Sequence, residues 1–205
     1  MRVLLTGFRP LPGRRSPSME LVSEFERTGE AVGAELVEDF RTISEQAARA
    51  LRRWSPDVAI SLAWDLPRWV KVERIAVNVM SSFVGDKVTP DHEGTTPSGV
   101  PVVPGGPLAY ASTLPADDVV AAIRGAGLPA FPSYEAGTHV RNAALYSLLH
   151  WTSLRGGGCL VGQLHLPPLP GMFGAGGPGM GLEDEARAVR ASIGACAKAL
   201  AGERD

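Results

Sequence analysis

The chain has 205 residues, 44% hydrophobic and 20% charged, which suits one globular domain with a sizeable core. Its 20 basic and 22 acidic residues leave a net charge of −2, so no electrostatic footprint for nucleic acid is present, and no apolar run is long enough to cross a membrane. Two cysteines, Cys159 and Cys196, suggest no disulfide framework, and a reducing cytoplasm is the expected compartment.

The opening "MRVLLTGF" is too short for a signal peptide and reads as a strand over Arg2–Thr6 that ends in a Gly turn. The Arg14-Arg15 pair reads as a solvated loop. Pro17 and Ser18 start a helix and Gly29 stops it. "AELVEDF" is strand-like. Ser44–Trp54 is helical, with Ser44 as N-cap and Ala47, Leu51 and Trp54 on one face. Strands are expected at Asp57–Ala63 and Val72–Val79, and a helix over Ala116–Gly127. "PAFPSY" is a strand interrupted by Pro132, a helix begins at Arg141, and Gly158–Leu166 is a late strand. The last helix carries Leu182, Ala186, Val189, Ile193, Cys196 and Leu200 as a core-facing stripe. Two irregular stretches, 80–106 and the Gly/Pro-rich 167–181, read as lids or connections. With no repeat or linker, the alternation predicts one domain over 1–205, an α/β/α sandwich whose mixed, mostly parallel sheet is flanked by helices.

Three segments carry polar residues where chemistry is usually mounted, at strand ends and in the loops beyond them. Glu73 lies in "VERIAVN", Arg141 follows the turn of "AGTHVRN", and His165 lies in "GQLHLP". A carboxylate, a histidine and a residue at a helix start fit a nucleophile–base–orienter template. The helix start suits a thiolate, because its free N–H groups and positive partial charge lower a thiol's pKa, so a cation there is anomalous.

These segments resemble the pyrrolidone-carboxylate peptidases (pyroglutamyl peptidase I), cysteine peptidases that remove N-terminal pyroglutamate. "TGFRPLPG" resembles the family's TGFxPFGG loop, "PSMELV" its NPS-plus-helix segment, and "VERIAVN" its glutamate motif. "TPDHEG" resembles IPDNxG, and "GPLAYASTLP" resembles GPxAYxSTLP. "VGQLHLPPLP" is similar to the histidine motif and "PGMGLE" to PSMSLE. "AGTHVRNAALYSLLH" follows AGTxxCNxxxYxxxH except at the cysteine. The similarity runs in order along nearly the whole chain.

The resemblance implies a Glu–Cys–His triad in which Glu73 and His165 keep their places and Arg141 stands on the cysteine. A guanidinium is not nucleophilic, so the family's thiolate attack is expected to be lost and the protein to be a pseudoenzyme. Cys159, six residues before His165 on the same expected strand, would lie roughly 20 Å away at about 3.3 Å per residue. Cys196 falls on the buried stripe, and Thr138 is off the nucleophile position. The resemblance also places a ligand pocket at Phe8, Leu11, Ser16, Ala63, Trp64, His139 and Arg141. Leu11 replaces a ring-stacking phenylalanine there, Ser16 an asparagine, and bulky "LAWDLPRW" a Gly-rich segment. The loop after Asn78 carries an insertion, "MSSFVGDKV".

Glu73 and His165 can persist as a structural pair. The expected arrangement at the altered position is an Arg141–Glu73 ion pair, or an anion held by Arg141 and the helix N–H groups. A metal on His139, His165 and Glu73 has no supporting spacing, so no metal or cofactor is expected. His92 reads as an exposed loop residue, and His150 as able to cap the last helix carbonyls. The expected partners are a small anionic or peptide ligand and further copies of the chain, since the resemblance implies a homo-oligomer, often a tetramer, with Trp64, Trp69 and Phe83 as exposed candidates. The alternative is a hydrolase of the same family that removes pyroglutamate, or a related group, through a different nucleophile.

Overall fold

The computed structural model describes residues 1–66, 68–173 and 179–202. Pro67 and part of the Gly/Pro-rich 167–181 stretch therefore lie outside the described residues. The elements are β1 (Val3–Phe8), α1 (Pro17–Thr28), β2 (Val32–Leu36), α2 (Ile43–Trp54), β3 (Val58–Trp64), β4 (Val70–Glu73), β5 (Ile75–Val77), β6 (Phe83–Val84), β7 (Lys87–Val88), β8 (Ala109–Ala111), α3 (Ala116–Gly125), β9 (Ala130–Ser133), α4 (Val140–Leu154), β10 (Leu160–Leu166) and α5 (Leu182–Ala201).

Six strands form one sheet in the order β2-β1-β3-β10-β4-β9. β2, β1, β3 and β10 run parallel; β4 opposes β10, and β9 runs with β4. The sheet is mixed and mostly parallel, as the alternation predicts. Side chains alternate between its faces. Leu5, Ile60, Val72 and Leu164 meet α1, α3 and α5 on one face, while Leu4, Ala59 and Val161 meet α2 and α4 on the other. Burial on both faces explains why β1, β3 and β10 read as nearly continuous apolar runs. Phe25 and Tyr146 are fully buried; each such side chain contributes about 1.5–3 kcal/mol by burial.

Local chemistry fixes the helices that frame the site. Ser16 caps α1 by accepting from the Met19 N–H, Pro17 stands in the first turn, and Gly29 takes the left-handed conformation at the end (φ 73°). Gly7 lets α1 approach β1 closely, since a Cβ there would lie 2.8 Å from the Ser18 carbonyl oxygen. In α4 the Asn142 side chain accepts from the Val77 N–H and donates to the Val77 and Val79 carbonyls, which pins the helix start to β5.

Four expectations are corrected. The strand expected over Val72–Val79 is two strands, because Arg74 donates its N–H to Ser133 while its carbonyl accepts from Ser112, and β5 peels away to pair with β8. The strand expected over Ala34–Phe40 ends at Leu36, where turns begin with Asp39 N–H donating to the Val37 carbonyl. α2 is preceded by Thr42 rather than Ser44 at its N-cap, and the Thr42 hydroxyl donates to Asp39 instead of capping. The irregular 80–106 stretch contains a β6–β7 hairpin.

Candidate functional site

Glu73 ends β4 and His165 lies in β10, two residues beyond Gln163, the direct register partner of Glu73. Their side chains share the α2/α4 face, and His165 Nδ1 donates to Glu73 Oε1 at 2.8 Å. Glu73 is fully buried and His165 nearly so. That bond fixes the ring, while His165 Nε2 makes no hydrogen bond with any described residue. Asp65, just past β3, is a second carboxylate near this ring. Burial raises its pKa, but the Lys71 hydrogen bond, the Leu66 N–H and the charges of Lys71 and His165 together outweigh that and hold the carboxyl below its ordinary range. Lys71 Nζ lies 2.5 Å from Asp65 Oδ2.

A row of polar residues crosses the sheet beneath α4. Thr6, Ser61, Gln163 and Glu73 are successive register partners across β1, β3, β10 and β4. Gln163 Nε2 donates to Ser61 Oγ at 3.3 Å and to the Arg141 carbonyl at 3.2 Å, which ties the helix start to the sheet. Thr6 Oγ1, Gln163 Oε1 and Glu73 Oε2 are buried with no hydrogen-bond partner among the described residues. Each such orphan costs about 1–3 kcal/mol.

Arg141 lies in the first turn of α4, but its guanidinium does not reach Glu73. Nε and Nη2 each donate to Glu38 Oε1 at 3.3 Å, Nη1 donates to the Trp64 carbonyl at 2.7 Å, and the guanidinium carbon stands 4.8 Å from the Trp64 ring centroid. The expected Arg141–Glu73 pair is therefore corrected to Arg141–Glu38. Glu73 is committed to His165, whereas Glu38, just beyond β2, faces the side of α4 from which Arg141 projects. Glu38 also faces His92 Nε2 at 3.6 Å, so His92 is part of this cluster rather than an exposed loop residue. His150 does not cap its helix; Nδ1 pairs with the Tyr110 hydroxyl at 2.9 Å and the ring stacks on Tyr146.

Arg141 and Glu38 line a cleft of about 230 Å³ between the first loop and the segment after β10. Phe8, Leu11, Ser16 and Trp64 line it too, so five of the seven expected binding residues meet at one place. Ala63 and His139 do not. Ala63 is buried in the core, and His139 packs edge-on against Phe40 with Nε2 on the Thr89 carbonyl at 2.9 Å. Arg9, Arg14 and Arg15 line the cleft as well, and Arg14 and Arg15 lie exposed in a loop, as expected. Among the described residues no group of three or more His, Cys, Asp or Glu side chains could hold a metal ion.

The thiols lie elsewhere. Cys159 stands just before β10, at the opposite end of that strand from His165, with its pKa pushed up to about 11 by burial and by Asp57. Cys196 is buried in α5 and pushed up to about 12 by burial. The Thr138 carbonyl accepts from the Ser81 N–H.

Together, fold and site define an α/β protein with a buried carboxylate–histidine pair beside a helix start. A family model described as Pyroglutamyl peptidase matches residues 1–199, and the chain belongs to that family. It is 39% identical to the pyrrolidone-carboxylate peptidase of Thermococcus onnurineus over 175 residues, covering 82% of this chain and 84% of the relative. It is 41% identical to that of Chromobacterium violaceum over 175 residues, covering 82% and 78%. The solved pyrrolidone carboxyl peptidase of Thermococcus litoralis superposes with a TM-score of 0.88 at 29% identity, covering 100% of this chain and 96% of that one.

Proposed function

We propose that this chain is a family member that has given up the thiolate step and uses the cleft for non-covalent binding of a small anionic or peptide ligand. The observation that carries this is Arg141. By motif resemblance Arg141 stands at the family's cysteine position, and its guanidinium is held by Glu38, the Trp64 carbonyl and the Trp64 ring. It cannot attack a carbonyl carbon, and neither remaining cysteine neighbours His165. Glu73 and His165 are then a buried polar pair, stabilised by their hydrogen bond.

A second reading is hydrolysis through another nucleophile. It is favoured by one feature, a His165 ring oriented by Glu73 with Nε2 uncommitted, which is the disposition of a general base. Turnover of a chromogenic pyroglutamyl amide separates the two. The first reading expects none above background; robust turnover supports the second.

The reading includes a reducing, cytoplasmic setting, consistent with two free cysteines and with no described helix long and apolar enough to cross a membrane. It also includes self-association into a homo-oligomer, with a tetramer as the form the family resemblance implies. Trp69 and Phe83 are exposed, and the hairpin that carries Phe83 also exposes Val84 and Val88. Trp64 is a weaker candidate because it is half-buried against Arg141 and Phe173. Strictly monomeric elution at micromolar concentration would count against assembly.

A further inference from the structure

The charges around the cleft are matched with one exception. Arg9 pairs with Glu35, Arg15 with Glu20, and Arg141 with Glu38. Arg14 lines the same cleft and is exposed, and its guanidinium has neither a hydrogen bond nor an ion pair among the described residues. The four arginines of the lining and their three carboxylates thus leave one net positive charge at the mouth, on a chain whose total is −2. Beside it stand uncovered apolar surfaces, with Leu11 47% and Phe173 50% exposed. The volume, about 230 Å³, lies below the roughly 300–1,000 Å³ typical of pockets for drug-sized ligands.

We infer that the cleft selects a compact, apolar-bodied carboxylic acid in its free, ionised form, with Arg14 as the carboxylate partner. This rests on the binding reading above and deepens it by naming the ligand class. One unpaired guanidinium matches one negative charge, and a planar fork of N–H groups suits a carboxylate. The inference also sets a direction of selectivity. In a peptide or amide the corresponding carboxyl group is bonded to nitrogen and carries no charge, so Arg14 finds no anion. The cleft then prefers an acid to its own amide, the reverse of what removal of an N-terminal residue requires.

Calorimetric titration of the full chain with phenylacetate and with phenylacetamide tests this, as does the parallel pair of L-pyroglutamate and its amide. Each acid should bind at least about tenfold more tightly than its amide, the scale of one charge-assisted hydrogen bond. Arg14→Gln should remove that preference while leaving amide binding within about twofold, and Arg14→Lys should restore part of it. Rising salt should weaken the acid and spare the amide. Equal binding of acid and amide, no acid binding at millimolar concentration, or tighter binding of phenyl phosphate than of phenylacetate would overturn the inference. If Arg14→Gln fails to fold, the acid–amide ratio and salt response of the unaltered protein decide the matter. Turnover of a pyroglutamyl amide would instead overturn the non-catalytic reading, a result separable from the acid–amide ratio.

Discussion

Glu38 and Arg141, 103 residues apart, meet as an ion pair in the wall of the cleft. Their side chains are 14% and 25% exposed. Removing one partner of such a pair leaves a poorly solvated charge, whereas removing both often costs little. Glu38→Gln should destabilise the protein by about 1–3 kcal/mol, less than the roughly 3–5 kcal/mol of a fully buried pair. Arg141→Met added to it should recover much of that loss. Urea denaturation of the two single variants and the double variant checks this; additive losses would show that the pair is not coupled.

The thiols should be sluggish. Burial is the main cause that holds Cys159 near 11 and Cys196 near 12, so little thiolate exists at neutral pH. Colorimetric thiol labelling of the native protein should be slow at pH 7.5, and both groups should react at once in denaturant. Fast native labelling would mean that one thiol is activated.

Glu185 should make stability fall as pH rises. It is fully buried in the first turns of α5, both carboxyl oxygens lack partners among the described residues, and burial, reinforced by Glu20, raises its pKa to about 8. Below pH 4.5 the group is neutral in both folded and unfolded states. Between 4.5 and 8 the unfolded chain releases the proton and the folded chain keeps it, so stability declines through that window and levels above it. The full effect is on the order of 4–5 kcal/mol. Glu185→Leu should flatten the profile and raise stability at pH 8. A wild-type profile that stays level from pH 5 to 8 would show that the carboxylate is solvated.

Much of the fold is written locally. Pro17 and Gly29 bracket α1, and the apolar runs at Val3–Phe8 and Val58–Trp64 are central strands. The break at Arg74 was not legible, because apolar content continues across it and only the pairing to Ser112 and Ser133 divides it. The hairpin did leave a signal. Gly85-Asp86 stands between Phe83-Val84 and Lys87-Val88, and Gly85 takes φ 63°. At the site, Glu73, His165 and Arg141 were legible through motif resemblance. Glu38 was hidden in what reads as a strand, and a contact across 103 residues has no local trace. Asp65, Gln163 and the cleft arginines were missed for the same reason, since only register and loop path bring them together.

Restoring the sulfur should not restore the enzyme. Arg141→Cys removes the blocking cation but leaves Leu11, Ser16 and Trp64 around the cleft and Arg14 at its mouth. Misplacement of a substrate by about 1 Å can cost 10²-fold. Turnover of a pyroglutamyl amide by this variant should therefore stay at least about a hundredfold below that of the Thermococcus onnurineus relative. Rates near the relative's would show that the pocket remains complementary to the ring.

In the non-covalent binding reading, no nucleophile stands within reach of His165. Intact-mass analysis during incubation with an activated pyroglutamyl ester tests it most directly, because such an ester acylates even a weakly competent nucleophile. The protein should keep its unmodified mass over hours at neutral pH, with and without prior thiol alkylation. A stoichiometric acyl adduct that maps to Thr138, Cys159 or Cys196 and disappears in His165→Ala would contradict it.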